Sequence, residues 1–169
     1  MIREILTYPN EILFTDSQDV EHFDGELHTL LDDMYETMMH ANGVGLAGIQ
    51  VGVALNVLII NLPNIDNIIE KKDLIEVINP KITSSSGEQF NEEGCLSVPG
   101  FLATVKRYED IVVEHYDRFG KKITLETTDF LAVAFQHEMD HLRGSLFIQR
   151  LSILENKKFK KQYKKPSSI

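Results

Sequence analysis

The sequence has a single cysteine, Cys95, in 169 residues. No intrachain disulfide can form, and nothing points to an oxidising compartment. It also lacks an apolar run long enough to cross a bilayer. The most apolar stretch, NVLIINL, falls far short of the ~20 residues a membrane helix needs. The amino-terminal MIREILTYPNEILF carries Arg3, Glu4 and Glu11 and reads as neither a signal nor a transit peptide. There is no internal repeat and no linker. The glycine-rich GVGLAGIQVG is not followed by Lys-Ser/Thr, which excludes a phosphate loop. These absences lead to the expectation of one cytoplasmic domain with no membrane partner.

What is present is ordinary for a globular protein, with 43% hydrophobic and 25% charged residues. The net charge of -9 opposes nucleic acid unless the basic residues are segregated. They partly are, because six lysines and no acid follow Asn156. The stretch LSILENKKFKKQYKK, 151–165, reads as a basic C-terminal helix with Leu151, Ile153 and Leu154 packed on the body.

Asp24 is placed to cap a helix running to Met39, with Leu27, Leu30, Leu31, Met34 and Met38 on one face. Asn42 or Gly43 suits its left-handed end. ALNVLIINL, 54–62, reads as a buried strand. EVINPKI, 76–82, reads as a second strand, which Pro80 would place at an edge. SSSG, 84–87, reads as a turn. DIVVEHYD and KITLETT flank RFG as a hairpin. Thr128 or Asp129 then caps a helix to Leu142, and Gly144 stops it. The order of elements predicts an α+β fold, with a mostly antiparallel sheet around a central helix.

That central helix carries QHEMDHLRG, Gln136 to Gly144. Residues four apart share a helix face, so His137 and His141 project together and can reach one metal ion. They continue the apolar face of Phe130, Val133 and Ala134. Glu138 is turned about 100° from His137 and can lean over the ion without ligating it, as a base for water would. The spacing alone also fits paired surface or hydrogen-bonded core histidines. A third ligand is needed. The histidine position of one protease pattern holds Phe147, and Glu155 lies beside the lysines. Cys95, in EEGCLSVPG between two glycine-bearing turns, is the remaining soft ligand. Cys, His, His and water form an open, catalytic set.

GVGLAGIQ (43–50), EGCLS (93–97) and QHEMDHLRG, in this order and at these separations, closely resemble the three signature motifs of bacterial peptide deformylases. These metalloenzymes remove the formyl group from the N-terminal formyl-methionine of new proteins. The resemblance implies that Cys95, His137 and His141 hold the metal and that Glu138 is the general acid/base. Gln50, through its amide, and Leu96, through its backbone N–H, would donate to the formyl oxygen. The backbone at Gly45 would pair with the peptide. Val44, Phe130, Val133 and Ala134 would line the methionine pocket, and Arg107 with Asp140 would form a supporting ion pair. It further implies one divalent metal, Fe2+ first, with Zn2+, Ni2+ or Co2+ able to substitute.

On this reading residues 1–150 are the catalytic domain and 151–169 its basic helix or tail, which would dock the enzyme on the ribosome. The expected partners are nascent formyl-Met polypeptides, and the expected state is monomeric. Two positions depart from the pattern. Gly48 stands where alanine is usual, which is expected to loosen the loop beside Gln50. Leu102 stands near a position where many relatives carry a basic residue that contacts bound peptide. The alternative is an H-E-x-x-H metallopeptidase of another class.

Overall fold

A computed structural model describes residues 1–163. Strands β1 (Gly45–Ala47), β2 (Val57–Ile60), β3 (Ile75–Ser86), β6 (Asp110–Tyr116) and β7 (Lys122–Thr127) form one antiparallel sheet in the order β1-β2-β3-β6-β7. Strands β4 (Gln89–Cys95) and β5 (Val98–Arg107) form a separate hairpin. Helices α1 (Gly25–His40) and α2 (Asp129–Leu142) cover the two faces of the five-stranded sheet, and α3 (Ile153–Gln162) is the last element among the described residues.

Strand β2 is apolar at every position because the sheet is covered on both sides. Leu58 and Ile60 pack towards α2 with Ala132 and Phe135, while Val57 and Ile59 pack towards α1 with Leu30, Met34 and Met38. Alternating side chains of one strand therefore enter two cores. The predicted α1 is present: the Asp24 side chain accepts from the Leu27 N–H at 3.1 Å, and Asn42 takes the left-handed conformation beyond it.

Three expectations about strands are corrected. β3 is the central strand, so Pro80 is not at an edge. It falls at the register shift between Ile78 and Lys81, where the ladder is interrupted and a missing N–H costs little. Ser84–Ser86 are not a turn but continue β3 opposite Val112, Ile111 and Asp110, and the chain reverses at Gly87. Cys95, expected between two glycine-bearing turns, lies at the end of β4, which also contains Gly94. The two-residue connection Leu96–Ser97 joins it to Val98.

The C-terminal helix is anchored differently from the expectation. Ile153 and Leu154 are 83% and 64% exposed, whereas Phe159 is only 5% exposed. Phe159 and Tyr163 lie one turn apart and stack on each other, and Phe159 packs edge-on to Tyr8 and Phe101. Gln162 Nε2 donates to the Gly100 carbonyl at 2.8 Å, and the Tyr163 hydroxyl donates to the Pro99 carbonyl. The buried face is set by these aromatic residues late in the helix, and Leu151 is the only one of the three expected anchors that packs. The final part of the expected helix, 164–165, lies outside the described residues.

Candidate metal centre

Helix α2 runs through the middle of the molecule and buries Gln136, His137, Glu138 and His141 together. Gln136 ties it to the turn between β5 and β6: Oε1 accepts from the Tyr108 N–H and Nε2 donates to the Tyr108 carbonyl, both at 2.9 Å. The His137 and His141 rings sit 5.2 Å apart, and Phe147 stacks on His137. The tip of the β4–β5 hairpin brings Cys95 to them, with Sγ 3.4 Å from His141 Nε2.

One ligand atom from each of Cys95, His137 and His141 lies within 4.8 Å of the other two. A divalent metal fits this donor set on three counts. The His137 Nδ1 is taken by Glu93 at 2.8 Å, which leaves Nε2 to ligate. Glu138 Oε2 is buried without a hydrogen-bond partner, so the site is polar and incompletely satisfied. One thiolate with two imidazoles suits zinc, iron, nickel or cobalt.

Without metal the two imidazoles diverge. Burial disfavours charge on His137, but Cys95 and then Glu93 outweigh it and hold its pKa well above the ordinary value. Burial, and next the His137 charge, push His141 well below. Both must be neutral to ligate, so metal binding should release a proton.

Glu93 was given no role by sequence reasoning. Its carboxylate is gripped by Arg107 through Nε and Nη2, each at 2.8 Å, and the two side chains are only 4% and 1% exposed. Burial would raise the Glu93 pKa, but Arg107 and His137 outweigh it and keep the group ionised. The available signal was an acid two residues before Cys95 on a strand, which places both side chains on one face. The expected Arg107–Asp140 pair is present at 2.6 Å. Arg150, also unassigned by sequence, joins it.

Gln50 is held by its own loop. Its Oε1 accepts from the Ala47 N–H at 2.9 Å, which turns Nε2 towards Ser97 Oγ at 3.0 Å and Cys95 Sγ at 3.6 Å. Ser97 is a further residue that sequence reasoning missed. At Gly48 a Cβ would meet Val57 Cγ2 at 2.8 Å and the Val53 carbonyl at 3.0 Å. The space of the missing methyl is filled. At Gly45 a Cβ would meet Glu138 Oε1 at 2.6 Å, so the lack of a side chain there admits the Glu138 carboxyl.

A cavity of about 440 Å³ opens over these groups. Its lining includes Val44, Gly45, Gln50, Cys95, Leu96, Phe130, Val133, Ala134, His137 and Glu138. Val133 and Ala134 are buried. Phe130 is not, contrary to the inward face expected for it: it stands half exposed in the first turn of α2, where the helix has yet to enter the core. Leu102 is exposed on the outer side of β5 and covers Gly94.

Burial pushes the Glu138 carboxyl up to about 7, against the pull of His137. Its folded pKa is therefore above the unfolded one, near 4.5. The stability this gives the metal-free protein is fully present below the unfolded value and is lost as pH rises through about 7. Glu138→Gln is neutral throughout. It should melt increasingly above wild type between about pH 5 and about pH 8 in chelator. Thermal melts across that range check this, and a constant gap would count against it.

A sequence model described as polypeptide deformylase matches residues 2–157. The chain is 53% identical over 166 residues to a peptide deformylase of Campylobacter jejuni, covering 98% of this chain and 95% of that one. It is 52% identical over 161 residues to one from Helicobacter pylori strain G27, covering 95% and 92%. The fold matches the crystal structure of a peptide deformylase from Legionella pneumophila with a TM-score of 0.88 and 43% identity, over 98% of this chain and 100% of that one.

Proposed function

The chain belongs to the polypeptide deformylase family, and on that premise we propose how its residues divide the work. Its function is to hydrolyse the formyl group from the N-terminal formyl-methionine of newly made proteins, releasing formate. The alternative of another H-E-x-x-H peptidase class is not favoured: Glu155, its downstream candidate ligand, pairs with Lys158 on α3. The observation that carries the residue assignment is the convergence of Cys95, His137 and His141 ligand atoms within 4.8 Å, beside Gln50 and Glu138.

Cys95, His137 and His141 hold one divalent metal. When bound, the metal supplies acidity to water, lowering its pKa from 15.7 to about 7, and draws charge from the formyl oxygen. Glu138 takes the proton of the attacking water and delivers it to the leaving amine. Burial, which favours the protonated form of this carboxyl, suits it to hold the proton between the two transfers. The Gln50 amide, locked by Ala47, and the Leu96 N–H donate to the formyl oxygen as negative charge grows on it. Val44, Phe130, Val133 and Ala134 receive the methionine side chain, whose flexible thioether suits an apolar wall. The Gly45 backbone pairs with the peptide, and Arg107 with Asp140 steadies Glu93 behind the site.

The proposed physiological metal is Fe2+, with Zn2+, Ni2+ and Co2+ as substitutes. Metal analysis of protein purified without oxygen tests this. The direct test of function is formate release from a short formyl-Met peptide by the metal-loaded protein, beside acetyl-Met peptide and casein as controls. The reading requires turnover of the formyl substrate alone.

We further propose a cytoplasmic monomer, with residues 1–150 as the catalytic part and 151–169 as a tail that docks on the ribosome. Lys157, Lys158, Lys160 and Lys161 are all exposed on α3 of an otherwise acidic chain, which supports this. Truncation after Asn156 would remove buried Phe159, so substitution is the cleaner test. Changing these four lysines to glutamine should leave peptide turnover within about twofold. Ribosome binding should weaken and its salt slope become shallower, by about 0.9 per lost duplex phosphate contact. Unchanged binding at low salt would reduce α3 to a solubility role.

A further inference from the structure

We propose that Arg150 is a positioning residue for the metal centre, acting on His137 through Asp140, Arg107 and Glu93. This rests on the reading of His137 as a metal ligand. Arg150 ends the short 3-10 turn Phe147–Arg150 that follows α2. It forks Asp140, with Nε 2.6 Å from Oδ2 and Nη2 2.8 Å from Oδ1. The same Oδ2 accepts from Arg107 Nη1 at 2.6 Å. Arg107 forks Glu93, and Glu93 accepts from His137 Nδ1 at 2.8 Å.

Four charges thus alternate from the surface to the imidazole, and Arg150 is the half-exposed outer end. The turn also reaches His137 directly, because Phe147 stacks on its ring at 5.9 Å. One short segment therefore holds the ligand both by packing and through the ladder of ion pairs.

The contribution of Arg150 is geometric more than electrostatic. Its charge is screened by solvent at that exposure. Its planar fork, by contrast, fixes the plane of the Asp140 carboxylate at two points. Without the fork, both Asp140 oxygens are free to draw Arg107, whose remaining nitrogens must stay aligned with Glu93. The tilt then passes to Glu93 and to the imidazole. Loss of a direct hydrogen-bond partner of a metal ligand typically weakens binding 10- to 100-fold, so an effect three contacts removed should be smaller, roughly 3- to 10-fold.

The test uses the full-length protein loaded with cobalt(II), as wild type, Arg150→Met and Arg150→Lys. The readouts are the visible cobalt–thiolate spectrum and the rate of cobalt transfer to a chelator, well below each melting temperature. Arg150→Met should shift the bands and release metal roughly 3- to 10-fold faster. Arg150→Lys should resemble it, because one ammonium cannot span both oxygens. Wild-type spectrum and release in Arg150→Met would overturn the proposal, and so would full rescue by lysine. Failure of wild type to bind cobalt would instead refute the metal-centre reading beneath it.

Discussion

Cys95→Ala is expected to give a folded protein that holds metal more than about 100-fold more weakly and shows no measurable turnover. Removing even a partner of a metal ligand costs 10- to 100-fold, and this change removes the thiolate itself. Two imidazoles remain, too few to complete the open three-ligand set that a catalytic metal needs. The fold should survive, because Cys95 is only partly buried at the end of β4 and alanine keeps its Cβ. Metal content after gel filtration, read beside a thermal melt, decides the matter. A metal-replete, active Cys95→Ala would sink the three-ligand centre.

Glu138→Ala is expected to do the opposite: retain a full equivalent of metal and lose turnover by about 10²- to 10⁴-fold, the usual range for a general acid/base. Glu138 Oε1 is 3.9 Å from His137 Nε2 and rests against Gly45, outside the trio of converging ligand atoms. The loss should fall on kcat, with KM little changed, since in the proposed division of roles the carboxyl carries protons and does not contact methionine. Formate release and metal analysis on the same sample test both halves. Loss of metal from this variant would make Glu138 a ligand and leave the proton transfers without a carrier.

The sequence by itself determined whatever depends on local spacing. His137 and His141 share a face because a helix repeats every 3.6 residues, and Asp24 caps α1 because its side chain reaches an N–H three residues on. The order of the three motifs was also legible, and with it the family.

Tertiary structure decided how distant segments meet. Cys95 reaches His141 across 46 residues, and Gln50 reaches Ser97 across 47. Among 26 acids and 17 basic residues, nothing local distinguishes Arg150 from its solvated neighbours, and the one local signal for Glu93 is its place two residues before Cys95. Only burial of Glu93 between Arg107 and His137, and the return of the chain past Asp140, gave them partners. The same holds for Pro80, harmless in a central strand because a register shift falls there, and for Gly48, whose missing methyl is replaced by Val57 from another strand. Such pairings are selected by packing and desolvation over the whole fold, which acts on contacts that sequence neighbours do not make.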